Sequence, residues 1–182
     1  MPVPATTRAP ISRQSVALIA NPSFPAKTVA DVIAYAKQNP GKLNVRTSAI
    51  GSGGYFTAEY FKSIADLDMQ IVPYRGTGPL ITDLIGGHVP IGVLPPAFGN
   101  IQAGMLRPIA VTGPKRFSLL PDVPTAAESG LPGFDSVLHY GLLAPAGTPR
   151  PIIDRLNKEL RALVETDEVK TRVVSEGGDA MT

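Results

Sequence analysis

The residues best suited to chemistry lie in the glycine-rich stretch TSAIGSGGYFTAEYF, which spans residues 47–61. The pattern predicts the end of a strand, a turn and the start of a helix. A helix N-terminus presents unpaired backbone N–H groups and a partial positive charge, which together suit a carboxylate or a phosphate. Thr47, Ser48 and Ser52 add hydroxyl donors to this junction. The stretch therefore predicts an anion site, and the alternative is a tight turn that simply requires glycine.

The spacing of this stretch argues against a nucleotide. It lacks the Gly-Lys-Ser/Thr that ends the phosphate-binding loop of nucleoside triphosphatases. Gly51-Ser52-Gly53 matches the beginning of the dinucleotide fingerprint, but Phe56 stands where that fingerprint requires its third glycine. No base for Ser52 is readable from the sequence, so an acyl-transfer or phosphate-handling enzyme is only a minor alternative. The chain is not expected to be an enzyme.

A second loop, Tyr74-Arg75-Gly76-Thr77-Gly78, also joins a predicted strand to a predicted helix. In open α/β sheets, ligands bind beyond the carboxyl ends of the strands, which is where both loops are expected. Arg75 is a candidate counter-charge for a bound anion, and the alternative for it is an ordinary surface position.

The composition excludes several classes of function. The 182 residues contain no cysteine, so disulfides, thiolate catalysis and cysteine-bound metals are ruled out. The net charge is +2 and the basic residues are scattered, which argues against a nucleic-acid partner. His88 and His139 lack acidic or histidine neighbours at metal-ligand spacing, so neither a metal nor a cofactor is expected. No apolar run reaches the roughly 18 residues of a bilayer span, and the start lacks the apolar stretch of a secretory signal.

Strand-like and helix-like segments alternate along the chain, which predicts an α/β fold with a mainly parallel sheet flanked by helices. Strands are expected at 16–20, 43–47, 69–74, 89–93, 106–111 and 137–144. Helices are expected from 28, from the glycine-rich stretch to 65, from 77, before 103, from 148 and at 167–176, with a short one near 125–129.

Several longer phrases occur in one collinear order from about Val16 to Gly178. They are NPSFPAKTVADVIAYAKQNPGKLN, the glycine-rich stretch, VPYRGTGPLITDLIGGHV, IQAGMLRPIAVTGPKR, LPDVPTAAESGLPGF and GLLAPAGTPRPIIDRLNKEL. This series resembles the substrate-binding proteins of tripartite tricarboxylate transporters, also called the Bug family. The resemblance covers nearly the whole chain.

The resemblance implies a periplasmic-binding-protein-like (type II) α/β fold that binds a small organic acid in the periplasm for membrane transporter components. Residues 1–15 would be an N-terminal extension or crossover, 16–138 the second ligand-binding lobe, and 139–182 an incomplete C-terminal return into the first lobe. The ligand-binding residues carried over by position are Thr47, Ser48, Ala49, Gly51, Ser52 and Tyr74, and the loop pattern adds Arg75.

Two departures from the family pattern alter these expectations. The chain has no counterpart of the family's N-terminal first-lobe segment, so apolar faces within 139–182 would be exposed and would favour self-association. Leu94-Pro95-Pro96 stands where the family commonly has an aspartate, which removes a polar contact for an amino-acid ligand. The alternative function is a truncated structural or regulatory fragment that self-associates without a physiological ligand.

Overall fold

The computed structural model describes residues 8–181 of the chain. These residues form two compact units: a central unit, Ser15–Val137, and a terminal unit, which comprises the described residues up to Gln14 and those from Leu138 onward. The elements are β1 (Arg8–Ser15), β2 (Ala17–Ala20), α1 (Val29–Gln38), β3 (Asn44–Thr47), α2 (Gly53–Ile64), β4 (Gln70–Pro73), α3 (Thr77–Ile85), β5 (Ile91–Leu94), α4 (Phe98–Gln102), β6 (Arg107–Val111), β7 (Val137–Leu143), α5 (Arg150–Val164), α6 (Asp167–Ser175) and β8 (Gly178–Ala180).

The central unit is built on a five-stranded sheet in the order β4-β3-β5-β2-β6. β3 runs parallel to both β4 and β5, whereas β2 runs antiparallel to both β5 and β6. The predicted alternation of strands and helices is present, but the sheet is mixed where a mainly parallel one was expected. The apolar run that predicts a buried strand is the same for either direction, so strand direction is decided by tertiary pairing.

The core of the central unit forms around the two interior strands that are buried at every residue, β2 and β5. Helices α1, α2 and α3 each bury one stripe of small or apolar side chains, as their helical spacing requires. Thr28 begins α1 with a reciprocal capping box: its hydroxyl accepts from the Asp31 N–H, and the Asp31 carboxylate accepts from the Thr28 N–H. Local capping and core burial therefore agree on where α1 begins.

The terminal unit contains a three-stranded sheet in the order β7-β1-β8, with helices α5 and α6. β8 pairs antiparallel with β1, and the Arg13 guanidinium reaches Asp179 at 3.2 Å across this pair. Neither strand was predicted, because their polar sequences give no apolar alternation and their partners lie more than 160 positions apart in sequence. The expected N-terminal extension is thus a strand from Arg8 on, and its residues 1–7 lie outside the described range.

Helix α5 is the longest helix, with 15 residues. Within residues 8–181, neither it nor any other helix combines the length and apolar character that crossing a lipid bilayer requires.

The short helix predicted near 125–129 is wrong. This segment is a hydrogen-bonded turn, in which Thr125 Oγ1 accepts from the Glu128 N–H at 3.1 Å and the Glu128 carboxylate accepts from the Thr125 N–H at 2.8 Å. The same Thr-x-x-Glu pattern that begins a helix occurs here, but Gly130 adopts a positive φ of 106° and the chain turns away. A capping pattern by itself does not ensure that a helix follows.

We expect Glu128 to make part of the stability of the central unit dependent on pH. The Thr125 N–H, and next the Arg116 guanidinium, hold the pKa of this carboxyl below its usual value. Because the pKa is lower in the folded state, the stabilisation is present at neutral pH and is lost as the pH falls through the folded-state value. Glu128→Gln should lower the free energy of unfolding at neutral pH and reduce the further loss of that free energy on acidification.

Denaturant unfolding at several pH values measures this effect. The matched control is Glu159→Gln, since Glu159 is exposed and has no hydrogen-bonding or ionic partner within residues 8–181. An unchanged acid-induced loss in Glu128→Gln would contradict the assignment.

Candidate ligand-binding site

The candidate site lies at one edge of the central sheet, where three parallel strands end. β3, β4 and β5 run in the same direction, with Thr47 paired in register with Pro73 on one side and Val93 on the other. The segments that follow these strands therefore leave the sheet at the same edge. They are the first loop (residues 48–52), the second loop (residues 74–76) and the third segment (residues 95–97).

Ser52 organises the first loop as the N-cap of α2. Its hydroxyl accepts a hydrogen bond from the Tyr55 N–H at 3.2 Å and donates one to the Ala49 carbonyl at 2.7 Å. Gly51 has a φ of +75°, which a side chain would strain, so glycine permits the turn that brings Ser52 back toward Ala49. Ser48 and Ala49 are half-buried. The Ser52 hydroxyl is thus engaged in building the loop.

The first turn of α2 presents the free donors of this loop. An α-helix leaves its first N–H groups without intrahelical partners, and Ser52 caps the third of them, that of Tyr55. The N–H groups of Gly53 and Gly54 remain, and the partial positive charge of the helix end reinforces them. This turn is seated directly on the end of β5, because a Cβ added at Gly54 would lie 2.4 Å from the Val93 carbonyl oxygen.

Thr47 is fully buried at the end of β3, and its Oγ1 has no hydrogen-bond partner among the described residues. Its carbonyl oxygen accepts from the Tyr74 N–H at 2.7 Å, which ties β3 to the second loop. A buried hydroxyl without a partner costs free energy, so it is expected where a ligand or an ordered water supplies the missing bond.

Tyr74 has both of its donors engaged within the protein. Its hydroxyl donates to Asp83 on α3 at 2.5 Å, and its N–H donates to Thr47. The hydrogen bond to Asp83, followed by burial, raises the pKa of the Tyr74 hydroxyl, so the group keeps its proton and remains a donor. The Arg46 guanidinium lies 5.9 Å from the centre of the Tyr74 ring, a cation–π arrangement. Tyr74 therefore joins β3, β4 and α3 at this edge.

Helix α3 provides a second helix N-terminus with free N–H groups, and this one has no side-chain cap. Its N-cap, Gly76, has a φ of 148° and makes no side-chain capping hydrogen bond. The N–H groups of Thr77 and Gly78 at the first two positions have no intrahelical partner, and Pro79 at the third has no N–H at all. Arg75, which precedes this helix end, is exposed. The second loop thus repeats the donor pattern of the first.

The third segment was not among the predicted site residues. It follows β5 as Pro95-Pro96-Ala97, directly after Val93 and Leu94, whose backbone atoms lie nearest to a Cβ added at Gly54. The sequence signal that identifies the third segment is a pair of consecutive prolines after a buried strand. They stand at the end of the strand where the neighbouring loops also begin. Parallel pairing of β3 with β5 had to be known before this signal placed the segment beside the first loop.

The central unit thus brings six of the seven predicted residues to two neighbouring loops of one sheet edge and Thr47 to the end of the strand before the first loop, while their contact with a ligand remains a prediction. The free donors at this edge include backbone N–H groups, the buried Thr47 hydroxyl and, beside it on β3, the Arg46 Nε–H, which is buried without a hydrogen-bond partner among the described residues. Within residues 8–181, no three or more His, Asp or Glu side chains are grouped so that they would hold a metal ion.

Comparison with known proteins adds a family match. The profile described as the tripartite tricarboxylate transporter family receptor matches residues 5–180. A UPF0065 protein from the tcbD-tcbE intergenic region of a Pseudomonas species is 34% identical over 146 residues, which are 79% of this chain and 44% of that protein. Protein BugT of Bordetella pertussis is 30% identical over 162 residues, 88% of this chain and 50% of BugT. The chain spans about half the length of the curated relatives it matches.

Solved structures show the same fold. Rpa4515 of R. palustris, solved with adipate, is 36% identical with a TM-score of 0.84 and covers 97% of this chain and 61% of its own. MatC (Rpa3494) from Rhodopseudomonas palustris, solved with bound malate, is 31% identical with a TM-score of 0.83. The match covers 95% of this chain and 60% of MatC. The periplasmic binding protein BugD is 29% identical with a TM-score of 0.84, and the match covers 97% of this chain and 60% of BugD. The predicted periplasmic-binding-protein-like α/β class is confirmed.

We expect Gly54→Ala to displace the first turn of α2 from the end of β5. The added methyl group would meet the Val93 carbonyl oxygen at 2.4 Å, and this backbone atom cannot move aside as a flexible side chain would. The free energy of unfolding should fall by about 1–3 kcal/mol, the usual range for overpacking, as measured by denaturant unfolding.

Gly78→Ala is the matched control for this substitution. Gly78 holds the same second position in α3 that Gly54 holds in α2, and nothing lies within 4 Å of an added Cβ there. The control should be neutral or slightly stabilising, because alanine favours the helix. Equal effects of the two substitutions would show that the close approach to Val93 does not constrain the turn.

Proposed function

The chain belongs to the tripartite tricarboxylate transporter receptor family, and from that premise we propose that its central unit binds the carboxylate of a small organic acid. The family identified from the sequence motifs is confirmed by the match over residues 5–180. The matched family is a receptor family, and the similar structures include a periplasmic binding protein. Both findings agree with the expectation that the chain is not an enzyme. The proposal concerns the ligand, the residues that hold it and the setting in which it is bound.

The observation that carries the proposal is the convergence, at a single sheet edge, of two helix N-termini that keep free N–H groups and of one unpartnered buried hydroxyl. Gly53 and Gly54 on α2, and Thr77 and Gly78 on α3, offer backbone N–H groups, and Thr47 offers its hydroxyl. A carboxylate has two oxygens that accept several hydrogen bonds, so this set of donors suits it. Adipate and malate, the acids in two similar structures, support the same class of ligand.

The seven predicted residues take different parts in this proposal. Thr47 donates directly, while Ser52, Gly51 and Ala49 shape the loop that presents the α2 donors, with Ser48 beside them. Tyr74 acts by position, because both its hydroxyl and its N–H are already engaged. Arg75 supplies a counter-charge at the exposed rim of the second loop.

The setting is proposed to be extracytoplasmic, with the ligand passed to membrane components of a tripartite transporter. BugD is described as a periplasmic binding protein, and the family name specifies a transporter receptor. The solved relatives contain additional chain, since this sequence matches about 60% of their length. A ligand held by the central unit alone keeps part of its hydration, so its affinity should be weaker than that of a longer relative.

We expect Thr47→Val to weaken carboxylate binding without destabilising the fold. Valine keeps the shape and removes the unpartnered Oγ1, so the free energy of unfolding should stay equal or rise. A hydrogen bond to a charged group is worth about 1.5–3 kcal/mol, so the dissociation constant should rise about tenfold or more. The dissociation constant is measured by titrating the isotope-labelled protein with adipate or malate and monitoring the amide resonances of Gly53 and Gly54.

Thr57→Val is the matched control. Thr57 is equally buried on α2, but its hydroxyl lies 2.6 Å from the Ser136 hydroxyl and is therefore satisfied. This change should lower stability by about 1 kcal/mol and leave affinity unchanged. If both acids leave every amide resonance unshifted at millimolar concentration, the proposed function is wrong.

A second candidate function is that of a self-associating fragment without a physiological ligand, and the terminal unit supplies the observation that favours it. β7 is an edge strand of the three-stranded sheet, and its side chains from His139 to Leu143 are exposed. A cavity beside it is lined mainly by apolar side chains of β7 and α5. The exposed large apolar residues of these two elements are Tyr140, Leu142, Leu143, Ile152, Leu156 and Leu163.

The occupant proposed for this face is a second copy of the chain. A two-fold axis beside an edge strand pairs it antiparallel with its own copy, which satisfies the free backbone groups and covers the apolar side chains.

Sedimentation velocity at micromolar concentration tests self-association, and a dimer is expected. Leu142→Lys places a charge on the exposed edge strand and should shift the dimer toward monomer. Leu119→Lys, at a comparably exposed leucine of the central unit, should leave the dimer intact. A stable monomer for the unchanged chain would refute association through this face.

A further inference from the structure

Arg46 places a positive charge in the interior of the central sheet without an ionic partner. β3, which carries it, lies between β4 and β5. Arg46 is half-buried, and its Nε is buried without a hydrogen-bond partner among the described residues. None of the five ion pairs found within residues 8–181 includes it. A cation that gives up hydration without gaining an acceptor is disfavoured, so this one is expected where a ligand supplies the acceptor.

Arg107 of the same unit shows how a structural arginine is accommodated. Its Nε is also buried and unpartnered, but its terminal nitrogens donate to the carbonyl oxygens of Pro22, Phe24 and Ala26. These bonds satisfy most of the guanidinium and tie the loop after β2 to β6. The Arg46 guanidinium lies instead near the Tyr74 ring, with Cζ 5.9 Å from the ring centre. A ring face attracts a cation but offers no acceptor for the Nε–H.

The register of the sheet places Arg46 on the same face as α3. Arg46 pairs with Gly92 of β5, and a Cβ added at Gly92 would lie 3.4 Å from the Leu84 side chain of α3. Side chains of directly paired residues share one face of a sheet, so Arg46 leaves β3 on the face that α3 covers. Its partner on β4 is Val72, and Tyr74 follows two positions later, past the end of that strand. The guanidinium near the Tyr74 ring therefore lies beside the start of the second loop.

Arg46 and Thr47 present different groups on the two faces of the sheet. They are consecutive in β3, so their side chains leave it on opposite faces. Thr47 offers a neutral hydroxyl, whereas Arg46 offers a full positive charge on the face where the free N–H groups of α3 begin. One sheet edge thus combines neutral donors with a charged donor, an arrangement that suits a ligand with two acidic groups.

We propose that Arg46 is a ligand-binding residue of this site and pairs with a second acidic group of the ligand. The inference rests on the proposed function and adds to it a charge that backbone donors cannot supply. The unpartnered Nε–H and a terminal N–H of one guanidinium match the two oxygens of a carboxylate. The Tyr74 ring lies beside the guanidinium, and the Tyr74–Asp83 hydrogen bond fixes that ring, so the charge is positioned before a ligand arrives.

Dicarboxylates and their monoamides measure what the second charge contributes. A monoamide keeps the length and nearly the shape of the acid but replaces one carboxylate with a neutral amide. The probes are succinate, adipate and the monoamide of each, titrated at neutral pH into the isotope-labelled 182-residue chain and monitored by amide resonances. Each dianion should bind at least about tenfold more tightly than its monoamide, because a charge-assisted hydrogen bond is lost in the monoamide.

Substitutions of Arg46 assign this preference to one side chain. Arg46→Met removes the charge but keeps a long apolar stem against Tyr74, and it should reduce the preference to about threefold or less. Arg46→Lys keeps the charge without the planar fork and should retain part of the preference. The matched control is Lys42→Met, which removes one positive charge from an exposed residue before the opposite end of β3 and should leave the preference unchanged.

Denaturant unfolding of the same variants separates a ligand contact from a purely structural role. Replacing an unpaired half-buried cation by methionine should leave the free energy of unfolding equal or higher, whereas an arginine kept only for its contact with Tyr74 should make Arg46→Met less stable. If Arg46→Met is less stable, Arg46→Lys decides: a partly retained preference supports the inference, and its complete loss overturns it.

The outcomes distinguish this inference from the proposed function. A preference for the dianions that Arg46→Met abolishes and Lys42→Met preserves supports the inference. Monoamides that bind as tightly as the dianions, or a preference that Arg46→Met does not reduce, overturn it and leave carboxylate binding in place. No binding by any of the four compounds overturns both proposals.

Discussion

The candidate site depends on the parallel pairing of β3 with its two neighbours. This pairing brings Thr47, Pro73 and Val93 into one register, so three chain segments leave the sheet at the same edge. Gly54 then allows the first turn of α2 to lie against the Val93 carbonyl, closer than any side chain would permit. The backbone donors of α2 are consequently held by the sheet itself rather than by a mobile loop, which lowers the ordering cost of binding.

Most polar groups at this edge are already used in building it. Ser52 bonds to Ala49 and Tyr55, and Tyr74 bonds to Thr47 and Asp83. Such bonds fix the loops before any ligand arrives, which is the arrangement expected for a pre-organised site. The groups that remain include helix N–H groups that have no intrahelical partner, the buried Thr47 hydroxyl and the buried Arg46 Nε. Recognition by backbone groups identifies a carboxylate but says little about the rest of the ligand, so selectivity must come from what borders the donors.

The two units differ in how completely they bury their apolar residues. In the central unit, β2 and β5 are buried at every position because each has neighbours on both sides. In the terminal unit, β7 has one neighbour and exposes most of its residues, and α5 exposes three large apolar side chains. The solved relatives are longer than this chain, and for the exposed apolar face self-association remains a proposal.

The sequence by itself determined the α/β class, the position of each strand and helix of the central unit to within a few residues, and the two glycine-containing loops. These follow from local rules, since capping residues, apolar periodicity and turn glycines act over a few positions. Tertiary structure alone decided the mixed direction of the sheet and the pairing of β1 with β8, because these depend on partners far along the chain. The turn at Thr125 is local, and there the capping pattern was misread because Gly130 turns the chain away. It also decided which site groups are free: the sequence offers the hydroxyls of Thr47, Ser52 and Tyr74 equally, and only packing engages the last two and leaves Thr47 unpaired.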